Sequence, residues 1–429
     1  MLRRGRIIAV MLTMGWGMPA TAAPLSEELS GLLQGHPDVR AAERRLDQAT
    51  AGVTEARAPY LPQLRISGEI GYENVDSPVR RATGGDAVEQ VREVGRFTVT
   101  QKLFDGLRTD GQLKTAIARE FKAGYGVERA NQQILLRGTA AYINVLKQTE
   151  LVDIALETEA TIRRQLTLED ERVKRGSGLS VDVLQSKSRL QAAKETRVRI
   201  EGQLREAIAE YYAVFNHAPD IGSMGPPAAP DDLIPAELQT AINRALSENP
   251  LIKQSQETIG EAKQQRKVAM ADFFPQIDVV AEGAVENDFE GIPGSRKDVF
   301  LGVRANWEIF DGLGTVAATE RTGHRIAETM ENHAALSLEL AKRVEVAWQN
   351  LVTLRERQTL AENAANISVE LFNARRKLRT AGRESVVNLL NAEAELNAAR
   401  SRAVAAHYDA LTQSFRLLFE IGDLTLAAY

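Results

Sequence analysis

The 429-residue chain contains no cysteine. It therefore has neither disulfide bonds nor a zinc site built from thiolates, so an exported form would depend on packing or oligomerisation for its stability. The absence also excludes the lipid-modified N-terminal cysteine of a bacterial lipoprotein. Aromatic residues make up only 5% of the chain. Ala, Leu, Glu, Gln, Arg and Lys dominate instead, a composition typical of long helices.

Catalytic sequence patterns are missing as well. The five histidines form no i, i+4 metal-binding pair, and neither a G-x-S-x-G nor a Walker spacing occurs. The glycine-rich stretch RGSGLS near residue 176 does not follow a predicted strand, which disfavours a phosphate-binding loop there. The sequence therefore predicts no enzyme, no cofactor and no metal site.

Long apolar runs are confined to the beginning of the chain. Three arginines precede an apolar run from Ile7 to about Met18, and small residues follow. This pattern predicts a secretory signal peptide over residues 1–23, cleaved after Ala22 or Ala23. Its removal lowers the formal net charge from −5 to −8, and so acidic a mature chain disfavours nucleic acid as a partner. Because no later apolar run reaches about 18 residues, a mature chain that spans a membrane would need β-strands.

The chain contains one unit written twice. At a shift of 213 residues, Pro62 aligns with Pro275. From the two copies of FDGL, at 104–107 and 310–313, the shift is 206. We expect a first repeat, a linker rich in Pro and Gly, and a second repeat, over residues 24–216, 217–238 and 239–429.

In the middle of each repeat, the spacing of apolar residues changes from a helical period to a period of two. Apolar and polar residues alternate on both sides of a polar loop, which predicts two strands per repeat. The expected strands cover about 63–73, 96–104, 276–286 and 299–310. Four strands cannot close a barrel, and open sheet edges are not tolerated in lipid, so closure would require further copies of the chain. Three copies would supply about twelve strands.

Long helices are predicted after each FDGL. They cover about 107–175, 179–216, 313–381 and 384–419. A helix of about 65 residues would reach roughly 100 Å. The two return helices carry apolar residues at seven-residue spacing, which indicates coiled-coil packing. Arg197 interrupts this spacing in the first repeat, where Ala403 continues it in the second.

These features together resemble the TolC family of outer-membrane efflux proteins. The resemblance rests on the signal peptide, the duplicated unit, the Pro-Gln entry into the strands, the paired FDG motifs and the turns that open the return helices, and it covers about residues 28–420. It implies a mostly α-helical chain with a small transmembrane β part. Three chains would share a twelve-stranded barrel in the outer membrane of a Gram-negative bacterium, continued by a twelve-helix coiled-coil tunnel in the periplasm.

The repeated junction between strand and helix is the first candidate site. It is predicted to hold prolines that stop a helix, aromatics at the membrane interface, aspartates that cap a helix and glycines that act as hinges. These residues are Pro62, Phe104, Asp105, Gly106, Pro275, Phe310, Asp311 and Gly312. Packing between helices would explain the aromatics equally well.

The tunnel entrance is the second candidate site, and its residues follow from the resemblance. Candidate gating residues are Asp182, Arg379, Arg383, Glu384, Asn388 and Asn391. Asp182 matches an acidic gating position, and we hypothesise that it binds Arg379 or Arg383. A solvated charge at a helix start is the alternative. Asn388 and Asn391 are neutral where the family has acidic rings, which argues against a strongly cation-selective entrance.

The resemblance also implies partners and a function. A periplasmic adaptor would dock at the turns, for which the candidates are Gly178, Leu179, Ser180, Gly382 and Ser385; simple turn chemistry is the alternative. An inner-membrane ABC or proton-driven transporter would complete a tripartite export system. We favour type I protein secretion over multidrug efflux, because the non-lipidated form with FDG resembles the secretion branch more closely. A soluble periplasmic coiled-coil scaffold or adaptor is a third interpretation, although it would not need the two strand pairs.

Overall fold

A computed structural model describes residues 25–82, 84–177 and 179–429 of the chain. The predicted signal peptide, over residues 1–23, lies outside the described residues. No helix in the described part of the chain is both long and apolar enough to cross a bilayer.

A single antiparallel sheet collects the strands of both repeats. Its order is β1-β2-β3-β4, so β1 and β4 form its edges. The strands are β1 (Gln63–Val75), β2 (Val88–Phe104), β3 (Gln276–Phe289) and β4 (Ile292–Asn306). The central pairing of β2 with β3 joins the first repeat to the second.

The period-two alternation separates an apolar face of the sheet from a charged face. On the apolar face, Ile66, Ile70 and Val299 leave 77%, 72% and 85% of their surface exposed. On the opposite face, charged side chains pair between strands, as in the 3.0 Å contact between Arg304 and Glu282. One face therefore needs an apolar environment, and the other can face water.

The helices follow the same order in both repeats. The first repeat contains α1 (Leu25–Gly35), α2 (Pro37–Arg57), α3 (Pro78–Ala82), α4 (Arg108–Lys174) and α5 (Ser180–Phe215). The second contains α6 (Leu238–Glu248), α7 (Pro250–Met270), α8 (Gly314–Thr380) and α9 (Val386–Ile421). The long helices α4 and α8 have 67 residues each, which corresponds to about 100 Å.

Two long hairpins dominate the helical part. Helix α4 packs along α5, α8 packs along α9, and α4 also contacts α9, which holds the two hairpins side by side. Helices α2 and α7 pack against the half of α4 next to the sheet. The buried core lies where the short helices meet the long ones, around Tyr211, Phe415 and Leu418 in one cluster and Leu340 and Leu417 in another.

The predicted strands differ from the observed strands most at three ends, the start of β2 and both ends of β4. The strand expected at 299–310 runs from Ile292 to Asn306. It ends early because its partner strand begins at Gln276 directly after Pro275, which has no N–H to extend the ladder, and it begins early because its pairing with β3 continues to Phe289. The strand expected at 96–104 begins at Val88, because the β1–β2 pairing continues to Val75. The bounds of the four longest helices differ from the predicted ones by one or two residues. In the predicted linker, a single 3-10 turn, Asp231–Leu233, precedes α6.

Candidate functional sites: the strand-to-helix junction and the hairpin tips

Both FDGL copies form the same hydrogen-bonded cap. Asp105 Oδ2 accepts hydrogen bonds from the backbone N–H of Thr109 at 3.0 Å and from its hydroxyl at 2.5 Å. Asp311 Oδ2 accepts the same two bonds from Thr315 at 2.6 and 2.5 Å, and these bonds hold the pKa of Asp311 below its usual range. The carboxylates thus satisfy N–H groups of the first turn of α4 and α8 that have no partner within the helix.

The threonines of these caps were missed in the sequence, although a signal for them existed. In both repeats a threonine follows the aspartate by four residues, as D-G-L-x-T. The repetition of that spacing marks it as part of the junction.

The chain direction changes through two consecutive left-handed residues. Gly106 and Leu107 have φ of 66° and 67°, and Gly312 and Leu313 have φ of 68° and 69°. The surroundings of the two glycines differ. A Cβ on Gly106 would lie 2.4 Å from the carbonyl oxygen of Ala271, whereas nothing lies within 4 Å of one on Gly312.

The prolines stand at the start of strands and not at the end of α-helices. Helix α2 ends at Arg57 and passes through a 3-10 turn before Pro62, and α7 ends in the same way before Pro275. In each case the preceding residue, Leu61 or Phe274, is extended, with ψ of 154°. This is the conformation that a following proline imposes.

The aromatics of the junction are only partly packed within one chain. Phe104 makes an edge-to-face contact with Phe274, with ring centroids 6.3 Å apart. Phe310 leaves 76% of its surface exposed. Just before it, the Trp307 indole N–H donates to the Phe273 carbonyl at 3.2 Å, so the segment after β4 is held to the strand entry of the same repeat.

The far ends of the hairpins, 174–180 and 380–386, are named here the first and second tips. The Ser177 N–H donates to the Arg172 carbonyl at 3.0 Å, and the Arg383 N–H donates to the Leu378 carbonyl at 2.9 Å. Together with the hydrogen bonds from the backbone N–H groups of Gly176 and Gly382, these bonds form the turns that end α4 and α8. The two turns have the same hydrogen-bond pattern.

The docking candidates are distributed over these turns. Gly178 lies outside the described residues. Leu179, which is 65% exposed, and Ser180 open α5. Gly382 closes α8, and Ser385 caps α9 by accepting from the Asn388 N–H at 3.1 Å. Turn chemistry therefore occupies Gly382 and Ser385, while the Leu179 side chain is directed to solvent.

An ion pair joins the two hairpins near their tips. Arg379 Nη2 lies 2.7 Å from Glu169 Oε1, and Arg379 Nη1 donates to the Glu384 carbonyl at 3.0 Å. Glu169 is 5% exposed and is also bound by Arg172 at 3.0 Å. The described chain contains no ion pair between Asp182 and Arg379 or Arg383. Glu169, which the sequence analysis did not select, is the residue that Arg379 binds within one chain.

The remaining gating candidates form two further polar contacts. Glu384 accepts from Asn388 Nδ2 at 2.6 Å, and this hydrogen bond is the main reason that its pKa lies below the usual range. Asn391 Oδ1 accepts from Arg189 Nη2 at 2.8 Å, which ties α9 to α5. The side chains of Asn388 and Asn391 are therefore both engaged within the chain, one with a carboxylate and the other with a guanidinium group.

This architecture defines a class of protein: long helical hairpins joined to a sheet with one apolar and one charged face are the parts of a channel and its periplasmic tunnel. Residues 29–217 and 241–423 match the family model described as outer membrane efflux protein. The chain therefore belongs to the outer membrane efflux protein family. The two matched segments correspond to the two repeats.

Individual relatives agree with this assignment. The chain is 24% identical to the alkaline protease secretion protein AprF of Pseudomonas aeruginosa, over 91% of this chain and 83% of AprF. It is 23% identical to the outer membrane efflux protein BepC of Brucella suis, over 98% of this chain and 90% of BepC. Among solved structures, the outer membrane protein VceC of Vibrio cholerae matches with a TM-score of 0.79 at 16% identity, covering 93% of this chain and 96% of VceC.

Several predictions are confirmed by these comparisons. The fold is that of the TolC-like channel-tunnels, mostly α-helical with a small β part. The protein belongs to the Gram-negative outer membrane and extends into the periplasm, where it acts as an exit duct for export. Because the family consists of channels, the chain is not an enzyme.

Proposed function

We propose that this chain forms a homotrimer and serves as the exit duct of a type I protein secretion system. A periplasmic adaptor and an inner-membrane ABC transporter would complete the system. The observation that carries the proposal is the similarity to AprF over 91% of the chain, since AprF is by name a protein secretion component.

The surfaces of the single chain support the trimer. The edge strands β1 and β4 have unpaired backbone groups along their outer sides, which a lipid environment does not tolerate. Large apolar side chains on the outside of α8 have no cover in one chain; Leu338 and Ile367 are 75% and 67% exposed. Three copies would pair the edges, cover these side chains and close the sheet at about twelve strands.

Deleting the gene in its own bacterium would test whether the exported cargo is protein. We expect that one or more proteins disappear from the culture medium while susceptibility to small toxic compounds stays unchanged, and that the intact gene restores them. An unchanged set of secreted proteins together with increased susceptibility would contradict protein secretion and support multidrug efflux; the relative BepC is by name an efflux protein.

The gate at the tips is part of the proposal. Because Asp182 and Arg379 are not paired within one chain, we propose that Asp182 binds an arginine of the second tip, Arg379 or Arg383, across the boundary between subunits. D182A should then raise the single-channel conductance of trimers in a planar bilayer. D170A is the matched control, because Asp170 pairs with Lys174 of its own helix at 2.9 Å. Unchanged single-channel conductance in D182A would contradict the proposed gate.

A further inference from the structure

Just before the two tips, the hairpins carry opposite charges at equivalent positions. At the repeat shift of 206, the acidic run Glu-Asp-Glu at 169–171 aligns with the basic run Arg-Arg-Lys at 375–377. The hairpins share their fold, their turn and their helix lengths. The two hairpins therefore differ in the charge near their tips and not in their backbone structure.

The acidic run of the first hairpin is neutralised by the chain itself. Asp170 pairs with Lys174 at 2.9 Å, and Glu171 lies 3.3 Å from Lys174 and 3.8 Å from Arg175. Glu169 is buried between two arginines. Little acidic charge of this run remains free for a partner.

The basic run of the second hairpin is neutralised only in part by the described residues. Arg375 pairs with Glu384 at 3.4 Å. Arg376 lies over the ring of Phe372, at 5.8 Å from its centroid. Arg376, Lys377 and Arg383 are exposed, and none of the three forms an ion pair with any residue in the described ranges. These three residues are named here the basic tip surface.

A neighbouring copy of the chain offers no matching acidic surface. Beyond Asp182, the first turns of α5 continue with the basic residues Lys187 and Arg189, and the acidic run of α4 is already paired. Like charges facing each other across a subunit boundary would repel. In the proposed gate, Asp182 of a neighbouring copy would engage at most one residue of the basic tip surface, Arg383. The complement of Arg376 and Lys377 must therefore come from another molecule.

We propose that the basic tip surface binds an acidic polypeptide segment, carried by the end of the periplasmic adaptor. The inference rests on the proposed function, because it assumes that a partner reaches the tips. Exposed charges of this kind steer association and select partners, and salt screens them over about 8 Å at physiological ionic strength. The second tip therefore provides electrostatic selection, while the first tip is close to neutral.

Binding of labelled poly-L-glutamate to purified trimers in lipid nanodiscs would test this inference. We expect binding to wild-type trimers that weakens steeply with NaCl. R376Q/K377Q/R383Q should reduce the affinity by about tenfold, because three exposed charge contacts worth about 0.5 kcal/mol each are lost. K174Q/R175Q/K187Q removes the same charge from the first hairpin and should have a much smaller effect.

Three outcomes would overturn the inference: no binding of poly-L-glutamate to wild-type trimers, binding insensitive to salt, or an equal loss in the control variant. The salt titration uses unaltered protein, so it does not depend on the folding of a variant. Conductance of the same trimers in a planar bilayer separates the two proposals. Trimers that fail to conduct would contradict the exit duct, whereas conducting trimers that ignore the probe would contradict only the basic tip surface.

Discussion

At the scale of single residues, four positions at the junction between strand and helix determine both the helix cap and the change of chain direction. The aspartate caps the long helix, and the glycine and leucine that follow turn the chain through two left-handed residues. The capping role of Asp105 and Asp311 could be predicted from residue type and position. The tight contact of Gly106 with Ala271 could not, because it depends on where a distant helix end packs.

This contrast gives a prediction for the two glycines. G312A should cost about 1 kcal/mol, since alanine tolerates the left-handed conformation poorly. G106A should cost at least about 2 kcal/mol more, because the added methyl group meets a backbone carbonyl. The temperature at which SDS-resistant trimers dissociate would measure both, and each variant is the control for the other. Equal losses would contradict the close approach at Gly106.

A second residue with an unusual environment is Glu393. It is 3% exposed on α9, and neither carboxyl oxygen has a hydrogen-bond partner in the described chain. Burial raises its pKa to about 7, although Gln165 and Arg164 on α4 act in the opposite direction. The carboxyl group is therefore protonated in the closed packing of α9 on α4 over a range of pH in which an exposed glutamate is ionised.

The direction of the resulting pH dependence follows from linkage. Below about pH 4.5 the group is protonated whether buried or exposed, so it contributes nothing. As the pH rises to about 7 the exposed form ionises first, so burial of Glu393 destabilises the fold, by about 3 kcal/mol above that pH. E393Q should therefore raise the thermal midpoint at pH 8 and change it little at pH 4.5. E395Q, which alters an exposed residue two positions away, should have no effect at either pH; a gain for E393Q that is equal at both pH values would contradict a buried titrating carboxyl.

At the scale of helices, the interrupted heptad pattern of α5 has a specific cause. Arg197 Nε lies 2.7 Å from Glu159 Oε2 of α4, and Arg197 Nη1 lies 2.5 Å from Glu201. The hydrogen bond from Arg197 is the main reason that the pKa of Glu159 lies below its usual range. At the repeat shift of 206, the second hairpin has Ala365 and Ala403 at these two positions. One seam contains an ion pair where the other contains two small apolar side chains.

The second hairpin thus shows which residues can replace the ion pair in the seam of the first hairpin. R197A should destabilise the protein, because it leaves the nearly buried Glu159 without its main partner. E159A/R197A, which copies the second hairpin, should recover more than half of that loss. The thermal midpoint of helix unfolding, followed by circular dichroism, would measure both variants. A double variant that is less stable than R197A alone would show that the pair stabilises the seam beyond satisfying its own charges.

The sequence predicted most elements because their signals are local. Alternation predicted the strands, and the absence of proline together with seven-residue spacing predicted the long helices. The early end of β4 at Asn306 was not predicted, because it depends on the Pro275 that precedes the partner strand. The same holds for the pair of Glu169 with Arg379, whose residues are 210 positions apart.

At the scale of the whole molecule, the unpaired edges of the sheet and the exposed apolar side chains lead to a prediction about assembly. We expect an SDS-resistant trimer in outer-membrane fractions that dissociates to single chains on heating. Introducing proline at Val299 in the edge strand β4 should abolish it, because proline cannot donate to a neighbouring strand. Proline at Ala87, an exposed loop residue that precedes β2, is the control. A soluble single chain in the periplasm would contradict the assembly.

The duplication explains why the architecture could be predicted as a whole while the tips could not. Two copies of one pattern fix the number of strands and hairpins per chain, and helix geometry fixes the length. Neither constrains which charges the tips present. The reversal between residues 169–171 and 375–377 is visible in the sequence, but which of those charges are already neutralised is known only from the contacts in the fold.

The arrangement of the strands also has a genetic consequence. In a sheet that begins with β1 and ends with β4, each chain would offer one edge to each of two neighbours. A single defective edge would then leave a gap that two intact chains cannot repair. In a cell where half of the chains carry such a defect, only about one eighth of randomly assembled trimers would be intact. Alleles that damage an edge strand should therefore be dominant, whereas alleles that abolish expression should be recessive.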